Sequence, residues 1–99
     1  MEKLYIVHWG ASSCDDDGNA HANAGVHGVY TNKSAALKGL VECKDSMIAD
    51  TKNDIDPDGE YPDLLDEIKV YGSEQEEYFE IDYTLGTEPC EVYITVSEQ

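Results

Sequence analysis

Arginine is absent from this 99-residue chain, and cations of any kind are scarce. Six lysines stand against 22 aspartates and glutamates, a formal net charge of -16. Without guanidinium forks the chain lacks the group that most often grips phosphate or carboxylate substrates. A field of this sign repels DNA, RNA and anionic lipid, so direct nucleic-acid binding is not expected. No apolar run approaches the roughly 18–20 residues a membrane span needs, and the opening MEKLYIVHW is too short and polar for a secretory h-region. The three cysteines, Cys14, Cys43 and Cys90, are an odd number and too few for a disulfide framework. These absences lead to the expectation of a cytoplasmic protein in a reducing compartment, with no membrane partner.

What is present is one domain's worth of chain. A domain of this size buries roughly 60–70% of its unfolded surface, enough for one modest core. Seven tyrosines, one tryptophan and one phenylalanine, within 40% hydrophobic residues, argue against disorder. The charge is unevenly placed. Residues 1–52 hold five lysines and seven acids, net -2, whereas residues 53–99 hold Lys69 and fifteen acids, net -14. An acidic second half of this kind suits cations: metal ions, or a basic protein surface.

Periodicity supplies the elements. Leu4 to Trp9 alternates with both faces largely apolar, which reads as a central strand. Residues 10–25 are small and polar and read as a mobile loop. Val26 to Tyr30 reads as a second strand, hairpinned to the first. Thr31 or Asn32 caps a helix running to about Thr51, with Leu37, Leu40, Val41, Met47 and Ile48 as its buried stripe and Ala36 and Cys43 on its flank. Gly39 weakens that helix by about 1 kcal/mol relative to Ala and marks close packing on the sheet. A short helical turn is expected at Pro62 to Asp66. Ile68–Tyr71, Tyr78–Leu85 and Glu91–Val96 read as strands, the last two joined by a turn at 85–89. In the second of them Phe79, Ile81, Tyr83 and Leu85 point inward and Tyr78, Glu80 and Asp82 outward. The order is ββαβββ, an α+β domain with one helix packed on a mainly antiparallel sheet.

The stretch NDIDPDGEYPDLLDE, residues 53–67, poses the sharpest question. Asp54, Asp56, Asp58 and Gly59 match positions 1, 3, 5 and 6 of a calcium loop, but position 12 is Leu65, where a bidentate acid should stand. The other reading is a capped turn, with Pro57 presetting φ and Gly59 supplying a left-handed position. Asp15-Asp16-Asp17-Gly18 lacks the alternation that turns carboxylates toward one ion. Cys14, His21 and His27, with His8, lack the close ligand pairs of structural zinc. No nucleophile–base–oxyanion set, phosphate-binding glycine loop or H-E-x-x-H can be assembled, so neither catalysis nor a cofactor is expected.

The acids themselves make a better site. Asp54, Asp56, Asp58, Glu60, Asp63, Asp66 and Glu67 fall in and after the turn. Glu74, Glu76 and Glu77 lead into the fourth strand; Glu80 and Asp82 lie on its outer face, with Glu91 on its neighbour. Alternate strand residues are about 6.7 Å apart, close to two of the roughly 3.4 Å axial steps by which duplex DNA advances per base pair. Self-repulsion at net -16 destabilises the compact state, and solubility alone asks for a net magnitude of only about 2–8. A generally acidic protein, as in halophiles, spreads its acids along the whole chain, yet here the first half is nearly balanced. Tyr61, Tyr71, Tyr78 and Tyr93 lie among the carboxylates, where phenols suit a face that meets lysine and arginine. The expected partner is a basic nucleic-acid-binding protein, and Tyr78 joins the acids in the expected contact set.

In size, in the acid run from Asp54 to Glu91, and in the opening LYIVHW followed by GVYTNKSAALKGLVE, the chain resembles the small acidic inhibitors carried by bacteriophages, the anti-CRISPR type and other DNA mimics. That resemblance implies a stoichiometric inhibitor occupying the basic nucleic-acid channel of a defence nuclease in the host cytoplasm. Immunity proteins of the barstar or colicin-immunity kind are similar in size and acidity, and imply instead a cover for a basic nuclease toxin. A calcium-binding interaction module centred on Asp54 to Asp58 is the third expectation.

Overall fold

The computed structural model of the chain describes residues 3–14, 17–85 and 88–99. Its elements run β1 (Tyr5–Cys14), β2 (Ala20–Tyr30), α1 (Lys33–Ile55), a short 3-10 helix (Pro62–Glu67), β3 (Lys69–Ser73), β4 (Tyr78–Leu85) and β5 (Glu88–Glu98). The strands form one sheet in the order β2-β1-β5-β4-β3, and every neighbouring pair is antiparallel. This is the α+β arrangement the periodicity predicts: one helix packed against a five-stranded sheet.

Residues 10–14 and 20–25 depart from their expected role as a loop. They are the outer halves of two long strands, paired continuously from Gly10↔Ala24 to Cys14↔Ala20. Glycine, alanine and serine are poor strand formers, but β1 is central, and its residues Gly10 to Ser13 also pair with β5, Ala11↔Val92 and Ser13↔Cys90 among them. Backbone hydrogen bonding from both sides outweighs weak side-chain preference. Between Val7 and His8 the register jumps from Gly28 to Val26, so His27 is the extra residue of a β-bulge. β5 begins at Glu88, which places Glu88 and Pro89 in the strand rather than in the expected turn. Residues 86 and 87 of that turn, and Asp15 and Asp16, lie outside the described residues.

Asn32 starts the helix, its side chain accepting the Ala35 amide at 2.8 Å. The buried seam is Ala36, Gly39, Leu40, Cys43 and Thr51. Ala36 and Cys43, expected on the flank, are at its centre, while Leu37, Val41, Met47 and Ile48 are half-buried beside it. Tyr30 accounts for the rotation. Its ring passes so close to Gly39 that a Cβ there would lie 2.2 Å from the phenol oxygen, so the helix turns its smallest residue to the sheet. The core beneath joins Val7, Leu40, Cys43, Phe79, Ile81, Val92 and Ile94. Phe79 and Ile81 point inward as expected. Leu85 shares their face by alternation but, at the strand end, is 40% exposed.

Since α1 covers one side only, the other face of the sheet is open. Strand alternation places Tyr78, Glu80 and Asp82 of β4 there, with Glu91, Tyr93, Thr95 and Ser97 of β5 and Ile6 and His8 of β1.

Candidate interaction surface

On the open face Asp82 stands opposite Glu91, and Glu80 opposite Tyr93. Phenols hold the carboxylates in place. The Tyr78 hydroxyl donates to Glu80 at 2.6 Å and the Tyr93 hydroxyl donates to Glu91. The two rings stack with centroids 6.3 Å apart. Burial, followed by the bond to Glu80, raises the Tyr78 phenol well above its ordinary range. The bond to Glu91, followed by burial, pushes the Tyr93 phenol up to about 12. Both tyrosines therefore stay protonated donors at physiological pH.

Asp82 is the exceptional member. Its Oδ1 is buried without a hydrogen-bond partner. Desolvation first, and then Glu80 and Glu91, push its carboxyl up to about 6. Glu67, Lys69, Asp82 and Glu91 line a shared hollow of about 270 Å³, whose wall includes Tyr83. Lys69, the single cation of the acidic half, stands opposite Asp82 in the register of β3 and β4.

The other expected site residues divide into two groups. Glu74, Glu76 and Glu77 form the β3–β4 turn, at the far end of β4 from Asp82. Glu77 adopts a left-handed backbone at φ 59° and pairs with Lys33 at the start of α1, so its charge is already partnered. Asp54, Asp58, Glu60, Asp63, Asp66 and Glu67 are exposed along the end of α1 and the segment after it.

Asp56 is a correction to the expected contact set. It is buried, and its carboxylate accepts the amides of Glu60 at 2.9 Å and Tyr61 at 3.1 Å. Gly59, at φ 70°, closes the turn by donating its amide to the Asp56 carbonyl at 3.3 Å. Asp56 builds the loop from within, as in the capped-turn reading, and its carboxylate is spent on backbone amides. Asp54 lies inside α1 rather than at the head of a loop. No group of three or more histidine, cysteine, aspartate or glutamate side chains among the described residues is arranged to hold a metal ion.

Two features escaped the sequence pattern. His8 lies between hydroxyls, its Nε2 2.5 Å from Ser97 Oγ and 3.0 Å from Thr95 Oγ1. The partners are nearly ninety residues apart, so no local spacing could reveal them. The second is Asp50 with Asp54. Because α1 continues to Ile55 they stand one turn apart on one face, a spacing visible in sequence once the helix end is placed correctly.

No protein-family model matches the chain, and no curated protein or solved structure matches it. No helix among the described residues is long and apolar enough to cross a membrane.

Proposed function

We propose that this chain is a non-enzymatic binding protein whose acidic surface docks on a cationic protein surface, the nucleic-acid-binding face of a nuclease or CRISPR-type defence complex. The observation that carries the reading is the uncovered sheet face, where Glu80, Asp82 and Glu91 gather beside the stacked phenols of Tyr78 and Tyr93. Like-charged carboxylates on adjacent strands repel. A basic partner relieves that repulsion, and the tyrosines hold Glu80 and Glu91 in fixed positions, which lowers the ordering cost of binding. Guanidinium and ammonium groups also find aromatic faces there. The DNA-mimic resemblance points to a nuclease of a defence system. An immunity protein for a basic toxin uses the same chemistry.

Immobilised basic nucleases, both defence effectors and toxins, test the proposal. Association should be fast, should slow steeply with added salt, and should compete with nucleic acid. Glu80→Lys with Glu91→Lys should slow association while the fold persists by circular dichroism. Undiminished binding by that pair at low salt sinks the assignment to this face.

A further inference from the structure

A cleft lies between the last turns of α1 and the sheet. It has a volume of about 280 Å³ and is lined by Trp9, Met47, Asp50, Asp54, Tyr83 and Val92. That lies just below the roughly 300–1,000 Å³ of sites for drug-sized ligands, and suits one long side chain. We propose that this cleft is an anchor site for a single guanidinium group, an arginine of the basic partner.

Its chemistry selects that ligand. Asp50 and Asp54 are exposed and stand one helical turn apart, a separation of about 5–6 Å between Cβ atoms that a planar fork can bridge. Among the described residues neither enters an ion pair. Asp54 lies in the last turn of α1, where the helix dipole is already negative and an acid is unfavourable. A bound cation offsets both effects. Trp9 and Tyr83 supply aromatic surface, and Met47 and Val92 supply apolar wall for an aliphatic stem. The Trp9 indole lies over Gly25 of β2, where any Cβ would come within 2.8 Å of it, so the glycine leaves space for the ring. Tyr83 lines the cleft together with Thr51, Asp50 and Asp54.

Other ligands fit less well. An anion meets two carboxylates in a chain of net charge -16, and a neutral apolar group desolvates them without compensation. An ammonium is more strongly hydrated and lacks the planar fork and stacking surface of a guanidinium. Tyr83 also borders the hollow formed by Glu67, Asp82 and Glu91, so the anchor adjoins the acidic face. The site takes its arginine from the partner proposed above and rests on that reading for the source.

Trp9 is the single tryptophan of the chain and reports on the cleft directly. N-butylguanidinium is titrated into the intact chain while Trp9 emission and its indole N–H resonance are followed. n-Butylammonium and n-butanol are the comparison probes. The expected result is a saturable response, strongest for the guanidinium and weakened at least roughly tenfold by Asp50→Asn with Asp54→Asn. Glu42→Gln, at an exposed position of α1 that does not line the cleft, should leave it unchanged. A response that never saturates, that butanol matches, or that survives the double asparagine change overturns the anchor. These outcomes are independent of the nuclease-binding test, so the site and the proposed function fail separately.

Discussion

Asp82 and Glu91 stand directly opposite each other across β4 and β5, two carboxylates where like charges repel. The Asp82 carboxyl is pushed up to about 6, against an ordinary 3.8, so the folded chain holds that proton more tightly than the unfolded chain. The resulting stabilisation is complete below about pH 4 and is lost as pH rises through about 6. Asp82→Asn should raise stability at neutral pH by about 0.5 kcal/mol, the scale of cross-strand pairs. It should also flatten the fall across that pH window. Urea midpoints for both chains along a pH series measure this; parallel curves place the repulsion elsewhere.

Gly39→Ala replaces a poor helix former and on propensity alone should gain about 1 kcal/mol. It should destabilise instead, because the new methyl meets the Tyr30 ring, with Cζ at 2.4 Å from the Cβ position. Tyr30→Leu in the same chain should recover part of the loss. The coupling is read from a double-mutant cycle of denaturation free energies, and additive effects would show that the ring does not press on Gly39.

Gly72 has φ 98°, and a Cβ there would lie 2.1 Å from the backbone oxygen of Tyr78. No side-chain rotation relieves a clash with backbone. Gly72→Ala should cost at least about 2 kcal/mol and weaken the β3–β4 pairing. Hydrogen exchange of the β3 amides should accelerate; unchanged protection contradicts the close approach.

Asp56→Ala removes the acceptor of the Glu60 and Tyr61 amides and should cost about 1–2 kcal/mol, whereas Asp56→Asn, which keeps one carbonyl oxygen, should cost less. Calcium should leave the melting temperature of the wild-type chain unmoved. A calcium-dependent rise that Asp56→Ala abolishes would restore the metal reading of this loop.

The alternation of Phe79, Ile81 and the intervening Glu80 and Asp82 was enough to place β4 and its two faces, because a strand repeats every two residues whatever its neighbours are. The capping signal of Asn32 was equally local. The strand halves at residues 10–14 and 20–25 were not legible, since their small residues carry no periodic signal and become strand only by pairing, β1 with both β2 and β5, and β2 with β1. The end of α1 was hidden for another reason. Asp54, Asp56, Asp58 and Gly59 carry the spacing of a calcium loop or a capped turn, which sets the helix end near Thr51 and separates Asp54 from Asp50.

Composition and order alone determined that this would be an acidic α+β domain with its charge gathered in the second half, because residue charge and side-chain period are properties of the chain itself. Which acids remained available was decided only by tertiary structure. Folding turned Asp56 inward onto backbone amides, paired Glu77 with Lys33, set Asp82 against Glu91 and placed Trp9 beside Asp54. Those relationships join residues far apart in sequence, and solvation and Coulomb forces act on distance in space.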